Sequence, residues 1–459
     1  MRKSASIDMI HGPLLGKILM FSIPLMAANV LQVLFNTMDT IIVGQFAGYT
    51  SLAAVGSTTA IIALFINSFI AVSIGINVVI AKYIGMGGRE QDISRAVHTA
   101  IAVGLLGGIL VGGLGILAST WLLDATSVPS DIRAKALIYL RIYFAGTVFN
   151  VIYNFGAAII RAKGDTQRPL IYLSVSGVVN VVLNLFFVIV FSMDVAGVAL
   201  ATVISQAISA AMILRQLMRE TDATHLSWKK LCLDRRQMAE MARIGVPSWV
   251  QAILFSISNV VIQGAINSYD SVVVAGCSAG INIESFMYYT MNAICQACQT
   301  FASQNLGAAR IDRVRRVVRL SVGTVLVWGM FQSAAVALFA SPLVNIYNSD
   351  PAVVAAGVYR LRCVASLYFI YGVSDVLMGA IRGCGVAVAP MLINLLCSCV
   401  LRVVFIGLLD TSTVEIGWVY AIFTLSWFAL LVMLTPFWIH LRHKLEREHA
   451  PKPNAVNAA

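Results

Sequence analysis

Charge is scarce in this sequence. Acidic and basic side chains make up 12% of its 459 residues, where a soluble domain carries about a quarter. Long polar stretches are equally rare, so a water-soluble globule of this length is excluded. Alternating ten-residue strands are missing, which argues against an outer-membrane barrel. No P-loop, GxSxG or HExxH motif occurs, so neither a pump with its own ATP motor nor a familiar hydrolase is indicated. A convincing nucleophile, metal site or catalytic acid pair is also absent, and the chain reads as a non-enzyme with no cofactor. Cysteine is missing from the first half. All eight cysteines lie between Cys232 and Cys399. The Cys295-x-x-Cys298 pair sits in an apolar run without a nearby histidine, so small buried residues are expected there and no metal site.

What is present is apolar sequence. Hydrophobic residues reach 59% and mean hydropathy is +0.84. In lipid every backbone polar group must be satisfied within the segment, which makes helices the default. The pattern predicts twelve spans: 14–44, 52–82, 94–122, 134–160, 168–191, 195–218, 239–267, 272–302, 315–340, 354–381, 388–409 and 415–440. If the N-terminus is cytoplasmic, 26 of the 32 lysines and arginines fall in the cytoplasmic connections and termini. The exceptions are Arg133, Lys135, Arg141, Arg360, Arg362 and Arg402. This bias predicts a multi-pass protein of the cytoplasmic (inner) membrane with both termini in the cytoplasm. The net charge of +11 is thus a matter of topology, and a nucleic-acid partner is not expected. No cleavable signal peptide is needed, because the first span has a partner in a second copy.

The chain repeats itself. Ile160-Arg161-Ala162-Lys163-Gly164, ending at Pro169, returns as Ile381-Arg382-Gly383-Cys384-Gly385, ending at Pro390, 221 residues later. Arg89 with Arg310, Arg95 with Arg316, and Arg141 with Arg362 keep that offset. Pro24 and Pro247 are 223 apart, and Gly197 and Gly417 are 220 apart. Six helices per copy is an even number, so the copies are parallel repeats. The expected architecture is an all-α integral membrane protein of two six-helix bundles, 1–218 and 239–440. A cytoplasmic linker, 219–238, joins them, and a tail covers 441–459. Gly104, Gly108 and Gly112 share one helix face and predict close packing inside the bundle. Pro24 and Pro247 bend the first helix of each copy, either as hinges or as shared ancestry.

Ionisable groups at membrane depth are costly and usually functional. Asp39 follows Asn36 and lies about 9 Å before the outer end of its span. Asn180 and Asn184 are one turn apart, and Asn184 lies at similar depth. A carboxylate among amides is a candidate site for H⁺ or Na⁺. Glu284 and Arg402 are each about 20 Å into their helices. They are expected to pair near the midplane, either as a structural tie or in transport. Asp375 stands seven residues before Arg382 and corresponds to Asn154 in the first copy. It is a second candidate for the coupling ion or for a cationic substrate. Tyr143, with Tyr139, Tyr153, Tyr288, Tyr289, Met287 and Met291, either lines a cavity or fills the packing.

The combination resembles the MATE (multidrug and toxic compound extrusion) transporters. The resemblance rests on six-plus-six helices, the first-helix proline and Asp39 before Ile42-Val43-Gly44. Arg161 to Pro169, Asn180-Val-Val-Leu-Asn184 and Val195 to Thr202 add to it. It implies antiport of organic cations and amphipathic compounds against H⁺ or Na⁺ by alternating access, with a monomer in contact with membrane lipids. Asp39 then matches the first-helix acid of the N-lobe. Asn180 and Thr202 match polar residues around it, and Asn154 a fourth-helix asparagine. Asn184 departs from the members that carry aspartate there, which leaves one carboxylate in that lobe. No acid lies between Pro247 and Ser268, where one branch has a seventh-helix acid. A flippase for lipid-linked oligosaccharides, from the same superfamily, is the alternative.

Overall fold

The computed structural model describes residues 6–409 and 414–449; Arg2, Lys3 and the tail from 450 onward, expected to be cytoplasmic, lie outside the described residues. Among the described residues twelve principal helices follow one another, besides the short helix Ala340–Asn345 and the 3₁₀ turn Trp228–Lys230, and no strand occurs there. α1 (Leu14–Ile42) continues as a π turn, Val43–Ala47. α2 (Tyr49–Met86) and α3 (Glu90–Ala125) follow. α4 has two parts, Ser130–Ala145 and Thr147–Ala162, and α5 (Gln167–Leu185) ends in a second π turn, Phe186–Val190. α6 is Asp194–Arg219. Then come α7 (Arg235–Ile266), α8 (Ser271–Gly307) and α9 (Ile311–Leu338). α10 has two parts, Pro351–Val364 and Tyr368–Gly383. α11 runs from Val388–Asn394 through the π segment Leu395–Val400 to Leu401–Leu408, and α12 is Ile416–Glu448.

Ten of these are long and apolar enough to cross a membrane, and α4 qualifies as a pair bent by 44°. The twelfth, α8, falls short because Asn282, Glu284, Asn292, Gln296 and Gln299 interrupt it. Chain contacts divide the molecule into two compact units. One comprises Leu19–Ile84 and Gly88–Ile257 with residues 6–8; the other comprises Met9–Ile18, Gly85–Gly87 and 258 onward.

In the first unit α3 shows how a membrane helix sorts its faces. Leu106, Ile109, Leu110, Leu114, Leu117 and Trp121 are exposed along one side. Leucine facing lipid costs nothing, so the opposite side decides the packing. There Gly104, Gly108 and Gly112 are buried against α4. A Cβ on Gly108 would stand 2.7 Å from Cα of Val148, and one on Gly112 would stand 2.6 Å from the Phe144 carbonyl oxygen. The small face is therefore a contact inside the bundle. Around it Val55, Leu140, Phe144 and Val198 form a core.

The break in α4 falls at Gly146. An offset of 221 carries Gly146 onto Leu367, the last residue of the 3₁₀ turn Ala365–Leu367 that interrupts α10. The repeated Arg-x-x-Gly motif is also explained. Gly164 and Gly385 both take positive φ, +95° and +84°, and close their helices with bonds to the carbonyls of Arg161 and Arg382. A left-handed residue at a helix end favours glycine.

The connection Arg219–Asp234 is held to α3. The Ser227 N–H donates to Nε2 of His98 at 3.0 Å. Nδ1 of His98 meets the Ser94 carbonyl at 2.6 Å, and Asp234 N–H donates to Thr99 Oγ1 at 3.3 Å. In the second unit Ile262, Cys277, Val364, Tyr420 and Trp427 form the core. α12 continues beyond 440 to Glu448, further than expected. Arg442 with Glu446 (3.5 Å) and Lys444 with Glu448 (3.9 Å), each four residues apart, support the added turns.

Candidate functional site

Within the first unit, the last turns of α1 carry Asp39. Thr37 and Thr40 spend their hydroxyls on the carbonyls of Val33 (2.9 Å) and Asn36 (3.1 Å), on their own helix. Asn36 is exposed one turn before Asp39. Asp39 is only partly exposed, and its Oδ1 accepts a bond from Nδ2 of Asn184. The same Nδ2 lies 3.3 Å from Oδ1 of Asn180. Asn180 in turn donates from Nδ2 to Thr202 Oγ1 at 3.4 Å, and Thr202 donates to the Val198 carbonyl at 3.0 Å. A continuous polar chain thus runs from α1 through α5 to α6. Asn180 and Asn184 are buried, and Oδ1 of Asn184 is a buried acceptor without a partner among the described residues. Tyr139 and Tyr143 of α4 are buried in the same unit.

Two of the expected residues are not part of this chain or are only beside it. Asn154 turns back to Asn150 on its own helix, bonding its carbonyl at 2.9 Å and its Oδ1 at 3.0 Å. The Tyr143 hydroxyl is buried and bonds to none of these residues. One feature has no sequence signal. The π turns that end α1 and α5 touch each other, and both touch α6. Asp39 and Asn184 lie just before those turns. A π turn adds a residue to the helical circuit and re-aims the side chains around it, and such turns are frequent at functional sites.

The second unit is arranged otherwise. Glu284 does not pair with Arg402. It accepts two bonds from Arg360, Nε to Oε1 and Nη2 to Oε2, both at 2.9 Å, with both side chains buried. α8 and α10 run in the same direction and pack together. Glu284 lies about 20 Å and Arg360 about 14 Å beyond the starts of their helices, a gap that an arginine side chain spans. Arg360 stands in the sequence only as one of six basic residues outside the cytoplasmic connections, because depth counted along one helix does not show which neighbour a long side chain reaches. Arg402 instead donates from Nε to Ser426 Oγ at 2.8 Å and lies over the Phe423 ring at 4.9 Å. Arg360 lies over Tyr420 and Phe423, each at 5.4 Å. Two guanidiniums thus share the Phe423 ring, and Arg360 holds the carboxylate.

Asp375 is buried, accepts a bond from Asn292 at 3.0 Å and faces Arg382 at 3.9 Å. The seven-residue spacing of Asp375 and Arg382 was the available signal for that pair. Asn292 was missed because its polar neighbours mask any single position on α8. Tyr288, Tyr289, Tyr368, Tyr371 and Trp427 form a ring cluster with centroids 5.0 to 6.0 Å apart. Met287 and Met291 are buried, and Met291 Sδ fills the space beside Gly329 and Gly372. Among the described residues no group of three His, Cys, Asp or Glu side chains could hold a metal, and Cys295 and Cys298 are free thiols.

The connection between α4 and α5 carries a third cluster. Lys163 pairs with Glu220 and, at 2.7 Å, with Asp222. Arg168 reaches Glu220 at 2.8 Å. Burial pushes the Glu220 and Asp222 carboxyls upward, but the Lys163 ammonium outweighs it and holds both below the ordinary carboxylate range.

Comparison with known proteins identifies the family and the fold. The family described as MatE matches twice, at residues 24–186 and 247–407. A probable multidrug resistance protein of Bacillus subtilis, YpnP, is 29% identical over 87% of this chain and 89% of its own length. An FAD transporter of Shewanella oneidensis is 24% identical over 84% of this chain and 86% of its own. A solved structure described as the outward-facing conformation of a multidrug resistance MATE family transporter superimposes with a TM-score of 0.88. It covers 97% of this chain and 100% of its own, at 18% identity, which concerns the fold alone.

Proposed function

The chain belongs to the MatE family of membrane transporters, and from that premise we propose that it exports small amphipathic or cationic compounds in exchange for protons, with Asp39 as the proton carrier. Members of this family are transporters and need no cofactor, so the question is what drives the cycle. The observation that carries the reading is the polar chain Asp39–Asn184–Asn180–Thr202 within the first unit. Asp39 is its only carboxylate, and no guanidinium or ammonium is part of it.

A lone carboxylate in such surroundings changes charge by taking up one proton. Asn184 suits both forms. Its Nδ2 donates to the ionised carboxylate. Its Oδ1, which lacks a partner, can accept from the protonated acid after the amide turns over. Charged oxygen ligands for Na⁺ are fewer here, because amides take the places where a second carboxylate would add charge. The cycle we propose is rocker-type alternating access: Asp39 loads a proton from outside, substrate leaves, and the proton is released to the cytoplasm. The aromatic cluster around Tyr288, Tyr371 and Trp427 supports substrates with flat apolar surfaces. The cell membrane, with both termini cytoplasmic, is the proposed location on the arginine distribution.

Purified protein in liposomes, loaded with a cationic dye and given a pH gradient or a Na⁺ gradient in turn, tests this. The pH gradient is expected to drive dye movement and the Na⁺ gradient is not. Dye movement driven by Na⁺ alone would overturn the proton assignment.

A further inference from the structure

A cavity of about 690 Å³ lies in the second unit, where the α8–α9 connection meets the end of α12. It belongs to none of the clusters above. Arg310, Arg313 and Arg316 line it, together with Asp312, Glu446 and His449. Arg310 and Arg313 are held in place by the segment that precedes α1 in the same unit. Arg310 donates to the Ile10 carbonyl at 2.9 Å and Arg313 to that of Gly12 at 3.2 Å. Arg313 Nε also donates to Oδ1 of Asn305 at 3.1 Å. These bonds fix two guanidiniums at the cavity wall.

Arg316 is exposed, with no hydrogen-bond or ion-pair partner among the described residues. Of the two acids, Glu446 is engaged by Arg442 at 3.5 Å and His443 at 3.2 Å. Arg315 and Arg319 stand exposed on the same stretch of α9. The first turn of α9 has no side-chain cap and carries Asp312, whose charge offsets part of the positive field of its backbone N–H groups.

Apolar surface continues from this basic cavity. Counting back from Glu446 by seven residues along α12 gives Ile439 and Val432, 43% and 54% exposed. Counting forward from Arg316 along α9 by seven, eleven and fourteen residues gives Gly323, Val327 and Met330. A Cβ on Gly323 would meet nothing within 4 Å, and Val327 and Met330 are 66% and 45% exposed. Seven and eleven residues are close to whole numbers of helical turns, so each set forms one stripe. α9 and α12 touch. The two stripes therefore leave the cavity on neighbouring helices and run toward the middle of the membrane.

From this juxtaposition we infer that the cavity is a binding site for the headgroup of an anionic phospholipid, whose acyl chains lie along the stripes of α9 and α12. Phosphate is the shared chemistry of a lipid headgroup and a free phosphate ion. The apolar stripes select the lipid, because a soluble anion makes no use of them. The arginine distribution puts this end of the bundle at the cytoplasmic leaflet, where anionic lipids attract basic groups. The inference is independent of the transport cycle proposed for Asp39.

The test is native mass spectrometry of the full chain in detergent, titrated with phosphatidylglycerol and, separately, with phosphatidylcholine. Wild type is expected to retain phosphatidylglycerol in clear excess over phosphatidylcholine. Arg316→Gln should weaken phosphatidylglycerol binding by about fivefold, the effect of one basic charge at a lipid surface. Arg316→Glu should weaken it further, with melting unchanged. Equal retention of the two lipids, or unaltered phosphatidylglycerol binding in Arg316→Glu, overturns the site. A third arm adds inorganic phosphate. Displacement of the lipid by phosphate at the same concentration, regardless of acyl chains, overturns the lipid assignment.

Discussion

The two units place acids in opposite surroundings. In the first, Asp39 is bonded by Asn184, and the chain continues through neutral Asn180 and Thr202. In the second, Glu284 is clamped by Arg360, and Asp375 faces Arg382. Counterpart positions make the contrast sharper. At an offset of 221, Arg360 corresponds to Tyr139, and Asp375 corresponds to Asn154. The first unit thus has a buried phenol where the second has a guanidinium, and an amide where the second has a carboxylate. Protonating a carboxylate that is locked to a guanidinium breaks a buried pair and strands a charge. Protonating one held by an amide costs a single rearranged hydrogen bond. The difference teaches where a proton can be exchanged cheaply, and it supports assigning coupling to the first unit and a structural role to the acids of the second.

Asp39→Asn gives the largest expected effect. It keeps shape and hydrogen bonding but cannot change charge, so dye movement in liposomes should fall to that of empty liposomes under either gradient, with melting close to wild type. Full dye movement in that variant would break the comparison at its root. Glu284→Gln comes next and should act on stability. Leaving Arg360 buried without its carboxylate is expected to cost about 3–5 kcal/mol, read as a lower melting temperature of the protein in detergent. The double change Glu284→Gln with Arg360→Met should recover most of it. A single variant that melts normally yet transports nothing would move Glu284 from the structural side of the comparison to the functional one.

Much of this was legible in the sequence, for reasons that differ by residue. Ten of the segments follow from apolar length, and the repeat from Gly164 and Gly385, whose left-handed backbone few other residues tolerate. The pairing of Asp39 with Asn184 was suggested by equal depth on two helices. That reasoning failed for Glu284 and Arg402, which also share a depth. Depth fixes one coordinate only, and which helices touch fixes the rest. α8 packs against α10 and brings Arg360 within reach. Arg402, on α11, turns to Ser426 and Phe423 of α12. The π turns beside Asp39 and Asn184 left no trace, because Val43–Ala47 and Phe186–Val190 have the composition of any apolar helix. The basic cavity was visible only as charge, since the arginines of 310–319 satisfy the topology rule whether or not they enclose a space.

Asn184→Asp sharpens the comparison at intermediate cost. It gives the first unit a second carboxylate within bonding distance of Asp39 and no guanidinium to neutralise it. A hard cation then has two charged oxygen ligands. Adding Na⁺ should raise the melting temperature of this variant and leave wild type unchanged. At Na⁺ about tenfold above its dissociation constant the gain is about 1.4 kcal/mol. An equal response of wild type would show that a single carboxylate among amides already holds Na⁺, and would remove the argument for a proton.

The smallest expected effect concerns the repeated motif itself. Lys163 corresponds to Cys384 and Asp165 to Val386, so only the first copy can build the cluster of Lys163, Arg168, Glu220 and Asp222. Glu220 and Asp222 have folded pKa values below their ordinary ones: burial raises them, and Lys163 more than compensates. A depressed carboxyl stabilises the fold fully above its unfolded pKa, about 4. It loses that contribution as pH falls through the folded value. Lowering pH from 5 to 3 should therefore loosen the α4–α5 connection before the α10–α11 connection, read as faster amide hydrogen exchange over 160–170 than over 381–391 after correction for intrinsic rates. Lys163→Met should cost about 1 kcal/mol at neutral pH and flatten this pH response. A matching pH response at 381–391 would mean that the charges are incidental and that the shared glycine geometry alone sets the stability of both connections.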